Sequence, residues 1–120
     1  MGMWVILIGD AGFGLDTVKE MGFEGKKAVR AYGEKQLDVI FEDGYVSFQS
    51  DFDGMIKQDY SPDEIEKLPF KEPQFILMRY SDGELLKSAI GSGDFPADVM
   101  VDCDGVDTGL EQVFDRSRLL

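Results

Sequence analysis

The feature that most constrains the fold is a β-hairpin signal in residues 37–54, LDVIFEDGYVSFQSDFDG. Asp43-Gly44 suits a two-residue type I′ turn, because that turn needs positive φ at both central positions. On that turn Val39 pairs with Phe48, and apolar side chains alternate with polar ones along both strands. The residues expected on the buried face are Leu37, Val39, Phe41, Val46 and Phe48. The residues expected mainly on the other face are Asp38, Glu42, Ser47 and Gln49.

The rest of the chain reads as further strands and short helices. The predicted strands are residues 3–8, 27–32, 74–80 and 97–103. The predicted helices are 15–21, 62–68 and 84–90, with a further short helix in the tail after residue 106. Because the run 3–8 is apolar without alternation, it predicts a central strand covered on both faces.

Two helix starts carry capping signals. Ser61 with Glu64 forms a capping box, and Pro62 between them suits the first helical position. Ser81 with Glu84 forms a second box, although the intervening Asp-Gly pair would also suit a hairpin turn. The residues beyond are mostly good helix formers and alternate poorly, which favours a helix over 84–90.

This order of elements predicts one acidic α+β domain spanning residues 1–120. The expected architecture is a mixed, largely antiparallel sheet with two or three short helices mainly on one face, as in a ferredoxin-like or related sandwich. At 120 residues and 43% hydrophobic content, the chain can bury a core without a metal or disulfide.

Composition excludes several classes of site. The chain has no histidine, so histidine-based triads and histidine metal ligands are ruled out. The single Cys103 cannot form an intrachain disulfide and fits a reducing compartment. No apolar run approaches the roughly 18 residues that a membrane span needs, so we expect a soluble cytoplasmic protein. No cofactor is expected. The sequence leaves the oligomeric state open.

Charge is the strongest pointer to a partner. The formal net charge is −12. Residues 34–66 carry ten acidic and two basic residues, hence −8, and residues 82–115 carry nine and one, again −8. Such a field repels nucleic acid and anionic membranes and speeds the encounter with a basic protein.

A glycine-rich segment, GDAGFG at residues 9–14, follows the first strand. Its G-x-x-G-x-G spacing matches neither the dinucleotide-binding fingerprint nor a P-loop, and Asp10 would repel a phosphate. The segment therefore predicts a tight turn into a helix.

The sharpest chemical pattern is VMVDCDGV at residues 99–106, an apolar strand followed by D-x-D-G. It resembles the first motif of the haloacid dehalogenase superfamily. The resemblance implies Asp102 as the phosphorus-attacking nucleophile and magnesium ligand, and Asp104 as the acid–base residue. Ser81 would resemble that family's second motif. In that superfamily the motif opens the catalytic domain, whereas 14 residues follow Val106 here. A magnesium-dependent phosphoryl hydrolase is therefore the alternative hypothesis.

Calcium is a second use for such carboxylates. Asp-x-Asp-Gly occurs at 51–54 and again at 102–105. An EF-hand loop also needs an acid at its first position and a glutamate at its twelfth, and neither segment supplies both. We therefore predict no dedicated metal site, with Asp102 and Asp104 as the alternative.

The leading hypothesis is a non-enzymatic binding protein whose acidic face engages a basic protein. In size and charge the chain resembles bacterial immunity or inhibitor proteins, which block a toxin that is often a basic nuclease. A regulatory or structural subunit of a larger assembly is a third possibility. The expected contact residues lie in and after the hairpin: Asp38, Glu42, Asp43, Tyr45, Asp51, Asp53 and Asp59.

Overall fold

The computed structural model describes residues 3–42, 44–51, 54–96, 98–102 and 113–115. Within them one antiparallel sheet forms, with six strands up to residue 102 and a seventh short strand after it. The strands are β1 Met3–Gly9, β2 Lys26–Tyr32, β3 Gln36–Phe41, β4 Gly44–Ser50, β5 Gln74–Tyr80, β6 Met100–Asp102 and β7 Val113–Asp115. Their spatial order is β2-β3-β4-β5-β1-β6-β7. The predicted α+β class is thereby supported.

In the described connections between these strands lie three α-helices and a 3₁₀ turn. They are α1 Leu15–Glu20, the 3₁₀ turn Lys57–Asp59, α2 Pro62–Glu66 and α3 Gly83–Ser92. The capping box of α2 forms as predicted, because the Ser61 Oγ accepts from the Glu64 N–H at 3.2 Å and Glu64 Oε1 accepts from the Ser61 N–H at 2.9 Å. Helix α3 confirms the helical prediction for 84–90.

Alternation along β1 divides the interior into two clusters. Val5 and Leu7 join the larger cluster on the first face of the sheet, together with Val18 of α1 and Ile90 of α3. Side chains of opposite parity, including Ile8, join a smaller cluster on the second face. Strand β1 is therefore a central strand covered on both faces, as its sequence predicts.

Segment 54–70 covers the second face over β5, β1 and β6. Its partly or fully buried members in that cluster are Ile56, Tyr60, Ile65, Leu68 and Phe70. The polar composition of residues 50–60 favours an exposed connection, but Ile56 and Tyr60 of this segment are partly buried and pack on the sheet. The helices also divide between the two faces, since α1 and α3 contribute to the first cluster and α2 to the second.

The hairpin forms, but its register differs from the predicted one by two residues. Val39 pairs with Val46 instead of Phe48, and Phe41 pairs with Gly44. A shift of two preserves every side chain on its predicted face, because side chains alternate with period two. Gly44 thus begins β4 at φ 155°, and a Cβ there would lie 3.5 Å from the Leu85 side chain of α3. Asp43 lies outside the described residues.

Other details depart from expectation. Every described strand pair is antiparallel, so the mixed sheet is not found and a ferredoxin-like arrangement is not confirmed. Asp82, not Ser81, caps α3, and its carboxylate accepts from the Glu84 N–H at 2.9 Å. Residues 113–115, expected in a helix, pair with β6 as a strand.

Candidate functional site

Among the described residues, the hydrophobic cover on the second face of the sheet extends over only about half of its strands. The smaller hydrophobic cluster includes no residue of β2, β3 or β4, so segment 54–70 covers only the other half. We call the uncovered part the open face. Its side chains, placed by the strand register, are Arg30, Tyr32, Gln36, Asp38, Ile40, Tyr45, Ser47, Gln49 and Arg79.

A row of directly opposed residues crosses the middle of the open face. Arg30 pairs with Asp38, Asp38 with Ser47, Ser47 with Arg79, and Arg79 with Trp4 of β1. Adjacent strands lie about 4.8 Å apart, so the row sets two guanidinium groups on either side of a carboxylate and a hydroxyl. We call these five residues the central row.

A chain of side-chain hydrogen bonds orders the neighbouring residues. Gln49 Nε2 donates to Gln36 Oε1 at 3.2 Å, and Gln36 Nε2 donates to Asp38 Oδ1 at 3.1 Å. Since each amide uses its N–H group on the next residue, the chain directs one donor onto the Asp38 carboxylate. The negative charge of the central row is therefore already hydrogen-bonded within the protein.

Ser47 is the unusual residue of this surface. Its side chain is 5% exposed, and its Oγ has no hydrogen-bond partner within the described part of the chain. A buried hydroxyl without a partner is destabilising, so it is uncommon in folded proteins. Ser47 also lines a groove of about 380 Å³ together with Tyr45 and Arg79.

Two tyrosines flank the central row. Tyr45 is 54% exposed and Tyr32 is 48% exposed, both large values for aromatic side chains. Together they line a second groove of about 460 Å³ beside Arg30. The open face therefore combines exposed aromatic rings, two arginines and one buried, unsatisfied hydroxyl.

The predicted contact residues divide between this surface and other roles. Asp38 and Tyr45 lie on the open face, and Glu42 is exposed at the hairpin end. The Asp51 carboxylate accepts from the backbone N–H groups of Ile56 at 2.6 Å and Lys57 at 3.1 Å. Asp43 and Asp53 lie outside the described residues, and so does the side chain of Asp59.

Sequence reasoning missed Arg30, Ser47 and Arg79 as site residues. A signal existed for Arg79, because it is the one charged residue in the apolar strand QFILMRY. Ser47 alternates with buried apolar residues of β4, but its lack of a partner is a property of the folded chain alone.

The acidic blocks meet at the hairpin end. A Cβ on Gly44 would lie 3.5 Å from the Ser81 Oγ, so the start of β4 abuts the start of α3. This contact sets Glu42 of the first acidic block near the helix start that carries Asp82 and Glu84 of the second. Of these acids, Glu42 lines the groove beside Arg30 and Tyr45, so its carboxylate borders the open face at this end.

The alternative catalytic residue Asp102 is buried, with 1% exposure, and accepts a hydrogen bond from the Tyr60 hydroxyl. Ser81 does not lie beside it. Strand β1 separates β5 from β6, and Asp102 is level with Leu77, four residues short of Ser81, or roughly 13 Å along the strand. Asp104 lies outside the described residues, so the Asp102–Asp104 pair stays a prediction. Within the ranges described, no three acidic or cysteine side chains form a group that could hold a metal ion.

The glycine-rich turn before α1 is built around Asp10. Its Oδ1 accepts from the N–H groups of Ala11 at 2.9 Å and Glu72 at 3.0 Å. These backbone hydrogen bonds, that from Glu72 foremost, lower the pKa of the Asp10 carboxyl below its ordinary value of 3.8. The turn leads directly into a helix, as predicted, and Asp10 ties it to the loop before β5.

Comparison of the chain with protein-family models, with curated protein sequences and with solved structures finds no match. Among the described residues, no helix has the length and apolar character needed to cross a membrane.

Proposed function

We propose that this protein is a non-enzymatic binding module of the immunity or inhibitor type, which holds a basic protein partner on the open face. One observation carries the proposal: the uncovered half of the sheet presents two exposed tyrosines, two arginines and the unpartnered hydroxyl of Ser47 on one surface.

The composition of the open face supports protein binding. Tyrosine and arginine are enriched at protein interfaces and among the residues that contribute most to affinity. Tyr45 and Arg79 line the same groove, and both project from strands, so little ordering of loops is needed on binding. Packing of a partner over Tyr45 would also supply the missing cover for this half of the sheet.

Charge supports a basic partner. The net charge of −12 attracts cationic proteins over long range, and Glu42 lines the groove beside Tyr45 on the open face. In this proposal electrostatic attraction speeds association, and burial of the tyrosines and arginines slows dissociation.

The test is capture from the source cell at low salt on immobilised protein, with identification of the bound chains by mass spectrometry. Wild-type protein should retain a cationic protein that added salt releases. Tyr45→Ala should weaken binding of that purified partner by at least about tenfold, because a central aromatic contact is lost. Met55→Ala is the matched control, since Met55 is 61% exposed and lies in the segment that covers the other half.

Two results would count against the proposal. One is recovery of no protein whose retention weakens with salt. The other is a captured partner that binds Tyr45→Ala and Met55→Ala equally well, which would place its contact surface elsewhere.

A further inference from the structure

The charged groups of the central row are unevenly distributed along it. Asp38 has Arg30 as one cross-strand neighbour and accepts a hydrogen bond from Gln36. Arg79 stands between Ser47 and Trp4, so neither of its cross-strand neighbours carries a carboxylate. The row therefore has one arginine, Arg30, directly opposite the acid. The second, Arg79, is separated from Asp38 by the unpartnered hydroxyl of Ser47, although Asp38 lines the same groove.

We propose that Arg79 and Ser47 together receive a carboxylate from the partner protein. The inference rests on the proposed function and names the group that the open face recognises. A guanidinium binds a carboxylate through two parallel N–H donors, and it prefers such planar acceptors. The Ser47 hydroxyl, one strand away, is enclosed by the side chains that line its groove. A carboxylate that displaces them would reach a third donor and supply the hydrogen bond that Ser47 lacks in the free protein.

A second copy of the chain is a poorer occupant of this surface. In a face-to-face dimer centred on this surface, a two-fold axis along the strands midway between β3 and β4 would set Arg30 against Arg79. An axis along the central row would set each arginine against itself. Like charges in direct opposition weaken an interface, so the charge order favours a different protein.

This arrangement gives the open face a selectivity that net charge alone does not supply. The acidic chain attracts any cationic protein, but only a partner with a carboxylate set among its basic residues satisfies Arg79 and Ser47. A wholly basic surface would leave Arg79 facing another cation.

The probe is N-acetyl-glutamate methylamide, a peptide-like glutamate, titrated into uniformly ¹⁵N-labelled protein and followed by two-dimensional NMR. We expect saturable shifts of the Ser47 and Arg79 signals within a probe range of up to about 100 mM. The glutamine counterpart, which has the same shape without the charge, should bind at least about tenfold more weakly. Absence of saturable shifts, or equal binding of both probes, overturns the proposal.

Variants locate the receptor. Arg79→Gln should abolish the saturable shifts, and Ser47→Ala should weaken probe binding severalfold while the spectrum stays folded. Arg30→Gln removes the same charge from the other end of the row and should leave binding within about twofold. Equal losses in Arg30→Gln and Arg79→Gln would show a general charge effect and overturn the assignment. Because no partner is needed, failure here is separate from failure of the Tyr45 test above.

Discussion

In the proposed site, Ser47 would bind a carboxylate at the expense of the free protein's stability. Its hydroxyl is buried without a partner in the described structure, and an unmet hydrogen bond in the interior is unfavourable. Ser47→Ala should therefore raise the free energy of unfolding, by up to about 1 kcal/mol, while weakening carboxylate binding. Urea unfolding monitored by Trp4 fluorescence measures the first effect.

Ser50 provides the matched control on the same strand. Its Oγ lies 3.5 Å from the Glu34 carbonyl oxygen and 3.4 Å from that of Lys35, so its hydroxyl donates to the preceding turn. Ser50→Ala should leave stability unchanged or lower it by about 0.5 kcal/mol. A destabilised Ser47→Ala would mean that this hydroxyl has a partner in solution.

Asp10 gives the fold a specific dependence on pH. Its folded-state pKa lies below 3.8, so its contribution to stability is present above the ordinary pKa and is lost as the pH falls through the lower folded value. The stability advantage of wild type over Asp10→Asn should thus be constant above about pH 5 and shrink below it. Unfolding curves of both proteins between neutral pH and pH 3 test this, and a parallel fall of both curves would contradict it.

At the level of elements, the N-cap of α3 shows that a local sequence pattern alone does not decide which residue caps a helix. Ser81 and Glu84 form the sequence pattern of a capping box, yet Asp82 caps the helix and Ser81 lies against the hairpin end. Asp82→Ala should therefore lower the free energy of unfolding by about 1 kcal/mol, whereas Ser81→Ala should change it by less than about 0.5 kcal/mol. Equilibrium denaturation of the two variants decides between the caps, and a larger loss in Ser81→Ala would restore the sequence-based assignment.

The hairpin shows that a sequence predicts which face of a strand is buried more securely than it predicts the pairing register. Alternation placed Val39, Val46 and Phe48 correctly on one face, because burial of a whole strand face enforces period two. Register was not fixed in the same way, since a shift of two residues costs nothing in that pattern. The packing of Gly44 against Leu85, a residue remote in sequence, accompanies the observed pairing.

For a related reason, the sequence predicts only some of the residues of the candidate site. Asp38 and Tyr45 were predicted because they belong to the hairpin, whose strands are adjacent in the chain. Arg79 joins them only because β5 pairs with β4 from the far side of segment 51–73. The net negative charge is visible in the sequence and points to the acidic residues. The role of an arginine depends on which carboxylates and hydroxyls lie opposite it in the sheet, and the sequence does not show these neighbours.

At the scale of the whole molecule, the unequal cover on the two faces of the sheet explains why the open face is exposed. Helices α1 and α3 cover the first face, and segment 54–70 covers the second face only over β5, β1 and β6. The sheet is wider than this cover, so β2, β3 and β4 extend beyond it. Apart from Ile40, the side chains of the open face are polar or aromatic, which is compatible with a stable free protein that leaves this half uncovered.

Net charge and the local receptor should affect different rate constants. Arg79→Gln removes one positive charge, which changes the formal net charge from −12 to −13. Association with a cationic partner should therefore be as fast as for wild type or slightly faster, because steering depends on total charge. Dissociation should speed by about tenfold or more, because the partner's carboxylate loses its guanidinium. Surface plasmon resonance at two salt concentrations resolves both rates, and slower association with unchanged dissociation would show that Arg79 acts outside the contact.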